Sequence, residues 1–231
     1  MDFNTGGRRP DDQSRPLYGG EAGGPVRGPA GGPGGEFNLS DPVNSFVSTV
    51  RSVVTIPVGF FAGIRKLGDF VSPLVFALIC FEISAILGGL IGVIVDVAAD
   101  RNVGGSVSGF IFSLILTPIF GAIFLFVWAA IVHLLVSLIV RPISTGFETT
   151  FRAVSYSSVP ALISWIPLIG GLVSFVYSIV LNVLAIRETH GTTTGKAALA
   201  VLIPVVVLVF LAILLAVLIG NFVFNNLLQQ Q

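Results

Sequence analysis

This chain of 231 residues has few of the side chains on which enzymes depend. Only 10% of its residues are charged, and it contains one cysteine and two histidines. A lone cysteine, Cys80, excludes an internal disulfide, and two histidines offer little for a metal site or a catalytic triad. Twelve basic and twelve acidic side chains cancel, so no global positive field attracts nucleic acid. These shortages predict a protein that is not an enzyme, holds no cofactor or metal, and binds no nucleic acid.

The N-terminal region lacks apolar runs. Residues 1–37 contain eleven glycines and five prolines, and such a segment buries too little apolar surface to offset its ordering entropy. We predict a disordered cytoplasmic tail. Because this segment has no apolar core of the signal-peptide type, we expect the first membrane span to act as its own insertion signal.

Long apolar runs, by contrast, dominate the last two-thirds of the chain, and each is long enough to cross a hydrocarbon core of about 20 helical residues. Only helices satisfy every backbone polar group in lipid at this segment length. The sequence therefore predicts an all-α, polytopic transmembrane helical bundle over residues 67–224. The four apolar blocks are Val71–Val97, Val107–Val140, Val154–Ile186 and Ala197–Phe224.

The third block decides the number of spans, because it is too long for one crossing and is broken in its middle. We predict a short hairpin of two helices, Val154–Ile166 and Leu168–Ile186, which gives five membrane segments. Four full spans with both termini inside are the alternative. The residues that break the block are Pro160, Pro167, Gly170 and Gly171.

Basic residues set the predicted orientation. Arg51, Arg65 and Lys66 precede the first span, and positive charge favours the cytoplasmic side. With five segments, the N-terminus is cytoplasmic and the short C-terminal tail, residues 225–231, lies outside.

Residues 38–66 carry a predicted amphipathic helix, Val43–Ile56, which Pro57 ends or kinks. Its valines and phenylalanine recur at helical spacing with polar residues between them, which is typical of a helix in the headgroup region of a bilayer. The alternative is packing over the end of the bundle itself.

Two ionisable residues lie inside the apolar blocks. Glu82 and His133 are each about 12–15 Å from the cytoplasmic end of consecutive antiparallel helices, at 1.5 Å per residue, so we expect their side chains to face each other. Two readings stay open. The pair is either a polar contact that fixes helix register or a proton or cation site.

Small residues and prolines mark predicted packing and bending. Ser84, Gly88 and Gly92 repeat every fourth residue, which favours close helix approach within the bundle or, as the alternative, a homo-oligomer. Pro118 and Pro204 lie within the second and last blocks and are expected to kink them.

Several local patterns resemble the Yip membrane-protein family, the Ypt/Rab-interacting proteins and their prokaryotic relatives. The resemblance spans about residues 40–224 and implies five closely spaced spans. The entry to the first span resembles that of bacterial members, which implies a prokaryotic cytoplasmic membrane. The matching stretches are Pro57–Phe61, Ser72–Phe76, Ala130–Leu134, Gly146–Pro160, Ile166–Gly170, Glu188–Gly191 and Gly195–Ala197.

Eukaryotic members of that family act in secretory-pathway membranes and bind small GTPases. The resemblance therefore implies a membrane-organising, adaptor or scaffold protein that binds the lipid bilayer and protein partners through its cytoplasmic face. The alternative function is a small-solute or ion transporter component that uses Glu82 and His133.

Overall fold

A computed structural model describes residues 35–140 and 145–229. Most of the predicted tail, residues 1–34, and the final two residues of the predicted C-terminal tail lie outside the described residues, as does the connection 141–144. The described chain is helical. Its elements are α1 (Pro42–Thr55), α2 (Pro57–Gly63), α3 (Val71–Ala98), α4 (Val103–Ile139), α5 (Phe147–Tyr156), a 3₁₀ helix (Val159–Ile163), α6 (Gly170–His190) and α7 (Thr194–Leu228).

Four of these helices are long and apolar enough to cross a membrane, which confirms a multi-span helical architecture. They are α3, α4, α6 and α7, the last over Thr194–Phe222. Their sides expose many large apolar side chains, an arrangement that would be costly in water but suits a hydrocarbon environment.

Proline sets the first two helix boundaries. α1 begins at Pro42, and Pro57 begins α2 after a break at Ile56. Proline has no N–H to donate and disfavours helical geometry in the residue before it. The predicted helix Val43–Ile56 thus corresponds to α1 within one residue at each end.

The broken third block folds into more pieces than two helices. α5 ends at Tyr156, and a 3₁₀ turn containing Pro160 follows before an irregular stretch around Pro167. α6 then begins at Gly170, where a Cβ atom would lie 2.3 Å from the carbonyl oxygen of Ile163. Glycine is required at this position because the backbone at the end of the 3₁₀ helix lies too close to the start of α6 for a side chain.

The prolines predicted to kink the long spans lie within unbroken helices. Pro118 is inside α4 and Pro204 is inside α7. Each removes one backbone hydrogen bond from its helix, and the predicted kinks stay predictions.

Candidate functional site

α5 is the most completely enclosed helix of the bundle. It contacts α3, α4 and α6, and every residue from Thr149 to Tyr156 is buried. Because this short segment carries hydroxyls and a guanidinium, its burial requires polar partners on the surrounding elements. We call the region where those partners meet the polar end: α1, α2, α5 and the ends of α3, α4 and α6 that contact α5.

Arg152 on α5 is fully buried and forms ion pairs with several carboxylates. Its Nε lies 3.3 Å from the Glu148 carboxylate one turn earlier, and its Nη1 donates to Glu36. Nη2 donates to the carbonyl oxygen of Asp69 at 2.8 Å. A Cβ on Gly68 would lie 2.3 Å from Nη2, so this glycine leaves the space that the guanidinium occupies.

Glu36 brings the chain's N-terminal part into this network. Its carboxylate accepts hydrogen bonds from Arg152, from the Tyr156 hydroxyl at 3.2 Å and from the Arg65 backbone N–H. The neighbouring Phe37 is buried, with its ring 5.9 Å from that of Phe76. The segment before α1 is thus fixed to the bundle by both charge and aromatic packing, although both residues fall within the predicted tail of residues 1–37.

Asp69 links the network to the start of α3. One carboxylate oxygen accepts from the Ser72 backbone N–H at 2.5 Å, and the other lies 3.8 Å from Arg152 Nη2. Burial raises the pKa of the Asp69 carboxyl, but the Ser72 hydrogen bonds and the Arg152 charge lower it by more, so the net pKa lies below its ordinary value. Asp69 therefore stays ionised at neutral pH. Its negative charge lies beside the start of α3, where it interacts favourably with the positive end of the helix dipole.

A second polar chain joins both histidines of the protein. The distance from His133 Nδ1 to Thr150 Oγ1 is 2.8 Å, and the distance from Thr150 Oγ1 to His190 Nε2 is 2.9 Å. His190 Nδ1 then lies 2.6 Å from Thr145 Oγ1. With both imidazoles neutral, each ring has one donor and one acceptor, which satisfies the whole chain. The ends of α4 and α6 therefore meet at Thr150.

Glu82 and His133 make no hydrogen bond to each other in the described structure. His133 instead bonds Thr150, and one Glu82 oxygen is buried without a hydrogen-bond partner among the described residues. Their proposed joint function stays a prediction.

The predicted packing stripe on α3 has different neighbours along its length. Ser84 Oγ lies 2.6 Å from Ser164 Oγ, and a Cβ on Gly88 would meet Trp165 at 3.6 Å. Gly92 has open space at its Cβ position among the described residues. Gly89, outside the predicted stripe, is more tightly packed, since a Cβ there would lie 2.1 Å from the Phe110 ring.

Among the hairpin residues, Gly170 and Gly171 behave differently. Gly170 packs tightly against the end of the 3₁₀ helix, whereas a Cβ on Gly171 would meet no atom of the described residues within 4 Å. Leu168, between Pro167 and α6, is exposed and has a φ of +68°, an unusual conformation for a residue with a branched side chain.

Sequence reasoning did not select Glu36, Asp69, Thr150, Arg152 or His190. Arg152 could have been selected from the sequence, because an arginine two residues before an apolar block must either remain in water or acquire polar partners. Glu36 could not, since its partner lies 116 positions away. In the residues described, no group of three His, Cys, Asp or Glu side chains could hold a metal ion.

Comparison with known proteins gives one family. The family model described as the Yip1 domain matches residues 51–217. No curated protein and no solved structure matches the chain. The match covers α2 to α6 in full, together with the second part of α1 and most of α7.

Proposed function

This chain belongs to the Yip1 domain family, and we propose that it is a non-enzymatic membrane-organising or adaptor protein whose polar end is the working surface. The observation that carries this proposal is the arrangement of side chains on α1. Val43, Val47 and Val54 are 72%, 61% and 49% exposed, although α1 is fixed to the bundle on another side.

The three sides of α1 have separate chemistry. At about 100° per residue, the exposed valines Val43, Val47 and Val54 fall within about 40° of one another. The buried side of the helix, Thr49 and Val53, packs on the bundle. The third side is polar and exposed; it contains Asn44, Ser48, Arg51 and Thr55.

This division suits a helix lying at a bilayer surface. The valines would enter the acyl region of one leaflet, and the polar side would face water. The buried side would hold α1 against the bundle. The Glu36–Arg152 network supports the same proposal, because it fixes the segment before α1 and so limits the freedom of this helix.

We further propose five membrane segments with α1 on the cytoplasmic side and the C-terminus outside. The ends of α4 and α6 meet at Thr150, so the chain between these helices must travel away from the polar end before α6 returns. Ser164, after the 3₁₀ helix, bonds Ser84, thirteen residues into α3, which corresponds to about 20 Å along that helix.

The distribution of basic residues supports the same orientation. Arg101 is the exception, since it lies in the connection between α3 and α4. The other basic residues of the described chain lie on or near the elements of the polar end: Arg51, Arg65, Lys66, Arg152, Arg187 and Lys196.

Topology is testable with single cysteines on a Cys80→Ala background. Ser48→Cys on α1 and Asn221→Cys on α7 would be labelled with a membrane-impermeant maleimide in intact and in lysed cells. Five segments predict that Asn221→Cys reacts in intact cells and Ser48→Cys only after lysis. Equal behaviour of both positions would support four spans and overturn the five-segment proposal.

The membrane-organising role is testable by reconstituting the full chain into vesicles and measuring vesicle curvature by electron cryomicroscopy. The test variant carries Val43→Asn, Val47→Asn and Val54→Asn. Its matched control carries Ser48→Asn, Arg51→Gln and Thr55→Asn on the polar side. We expect highly curved vesicles with the unmodified chain and the control, and loss of curvature with the valine variant. Equal curvature in all three would contradict this role.

The adaptor role uses the same variants in affinity purification from native membranes in mild detergent. A partner recovered in stoichiometric amount with the unmodified chain and the valine variant, but lost with the polar-side variant, would support docking on that side of α1. Recovery of the protein alone would contradict the adaptor role.

A transporter component remains the second candidate, and it is favoured by the buried Glu82 oxygen that has no hydrogen-bond partner among the described residues. An unsatisfied carboxylate oxygen inside a membrane helix is costly and is often functional. This candidate predicts proton or cation flux in liposomes that Glu82→Gln abolishes. Flux at the background level with the unmodified protein would exclude it.

A further inference from the structure

A cavity of about 280 Å³ lies between α3, α4, the 3₁₀ helix, α6 and α7. Its rim is formed by exposed residues of the spans, including Phe124, Phe175 and Leu208. Its interior is lined by buried residues, including Leu125, Val154, Ser157 and Asn182. Because the rim belongs to the apolar sides of spanning helices, the cavity opens toward hydrocarbon rather than toward water.

Asn182 on α6 has an incomplete set of hydrogen bonds. Its Nδ2 donates to the Ser178 carbonyl oxygen at 2.8 Å, whereas its Oδ1 has no partner among the described residues. The residue is only 8% exposed. Exchanging the amide atoms would place Oδ1 against the Ser178 carbonyl oxygen, so the free group is the acceptor. A buried acceptor without a donor is costly, which points to a donor from outside the chain.

Ser157, which lines the same cavity, adds a second acceptor. Its hydroxyl donates to the Ala153 carbonyl oxygen at 2.7 Å, so the hydroxyl proton is used and its lone pairs remain. Asn182 and Ser157 therefore both favour a ligand that brings a hydroxyl proton. The remaining lining is mainly apolar and includes aromatic rings, which suits a hydrocarbon chain and excludes a charged headgroup.

Depth narrows the ligand class further. Asn182 lies eight residues before His190, the last residue of α6, which corresponds to about 12 Å along the helix. Moving a charged phosphate group from the headgroup layer to this level costs far more than moving a neutral hydroxyl, whose loss of hydration one hydrogen bond can offset.

We propose that this cavity binds a neutral membrane lipid with a hydroxyl group at the head of its hydrocarbon chain. The hydroxyl donates to Asn182 Oδ1, and the chain lies among Phe124, Phe175 and the apolar side chains of α7. This site does not depend on the membrane-organising role proposed above.

The first test compares two photoactivatable probes on the full chain in phosphatidylcholine vesicles. One is a long-chain alcohol with a diazirine in mid-chain, and the other is its methyl ether, which has no proton to donate. After illumination, mass spectrometry identifies labelled peptides. We expect the alcohol to label cavity-lining residues of α6 and α7 at least severalfold more than the ether. Equal labelling by both probes would overturn the proposal.

Variants then test the atoms involved. Asn182→Leu removes the acceptor at similar size and should lower alcohol labelling to the level of the ether. Ala161→Phe adds a ring at the lining and should lower labelling by both probes. The matched control is Asn221→Leu, because exposed Asn221 makes the same kind of bond to a carbonyl oxygen within α7, and it should leave labelling unchanged.

Protection of buried Cys80 from a thiol reagent verifies folding of each variant. Unchanged alcohol labelling in folded Asn182→Leu would also overturn the proposal. If that variant does not fold, the ratio of alcohol to ether labelling in the unmodified protein decides the question.

Discussion

α5 and α7 differ in an unexpected way: the helix rich in polar side chains is buried in the protein, and the apolar helix is exposed. α5 is short and carries polar or charged side chains in half of its positions, yet every residue from Thr149 onward is buried. α7 is long and almost wholly apolar, yet only 6% of its most apolar stretch is buried inside the protein. In this protein, apolarity marks contact with hydrocarbon, and paired polarity marks the interior of the polar end.

The physical reason is the absence of a strong hydrophobic drive between helices in lipid. Acyl chains are about as apolar as leucine, so α7 gains little by moving its side chains from lipid to protein. α5 gains through Arg152 and Thr150, whose partners come from α4, α6 and the segments that precede α1 and α3. We therefore expect stability to depend on α5 much more than on α7.

The strongest test is Arg152→Met, which removes the buried guanidinium from the Glu36 carboxylate and leaves that carboxylate with the largely exposed Arg65 as its charged partner. Loss of one partner from a buried pair costs about 3–5 kcal/mol of unfolding free energy. Cys80 is the single cysteine and is fully buried, so reaction with a thiol-reactive dye during heating in detergent reports unfolding. We expect a clear fall in the unfolding temperature.

The matched control for that change is Arg187→Met. Arg187 is paired with Glu188 but is partly exposed, so its loss should cost at most about 1 kcal/mol. Equal shifts for the two variants would show that the Arg152 network does not carry the stability that its burial indicates.

A second test uses two adjacent glycines at the start of α6. In Gly170→Ala the new methyl would lie 2.3 Å from the Ile163 carbonyl oxygen, and such overpacking costs about 1–3 kcal/mol. Gly171→Ala adds the same atom into open space and should be neutral or stabilising. Similar unfolding temperatures for both variants would indicate that the connection from α5 to α6 is not tightly packed.

Thr150→Val tests the histidine chain with little change in side-chain volume. It removes the hydroxyl shared by His133 and His190, and we expect a loss of about 1–2 kcal/mol in the same thermal assay. Thr55→Val is the control, because Thr55 is exposed and its hydroxyl donates to the Arg51 carbonyl oxygen within α1. A loss no greater than that of the control would mean that this chain is not stabilising.

The smallest expected effect is on α7. Leu211→Ala changes an exposed side chain of α7 and should alter the unfolding free energy by less than about 0.5 kcal/mol. Leu181→Ala on α6, where the side chain is fully buried, should cost about 2–5 kcal/mol. If Leu211→Ala were as costly as Leu181→Ala, the contrast between lipid-facing and interior positions would fail.

The sequence predicted the long helices well because hydropathy and length report directly on lipid contact. The blocks that became α3, α4 and α7 needed only a count of consecutive apolar residues. The break at Pro57 also followed from local chemistry, since proline restricts its own backbone and that of its neighbour.

The polar end could not be predicted in the same way, because its contacts join distant parts of the chain. Thr150 and His190 are forty positions apart, and no local periodicity relates them. Glu82 and His133 are the residues that local reasoning selected, since ionisable groups inside apolar blocks are conspicuous. The groups with the most polar partners lie at the boundaries of those blocks, where an arginine or threonine is ordinary.

The sequence separation of Glu36 from Arg152 has a consequence for biogenesis. Synthesis of the first four helices is complete before α5 leaves the ribosome. Arg152, the main partner of Glu36, is therefore synthesised 116 residues after Glu36. Contacts of such high sequence separation form late because the intervening loop must close first. The N-terminal segment should therefore stay accessible to proteases and chaperones on the nascent chain until α5 docks.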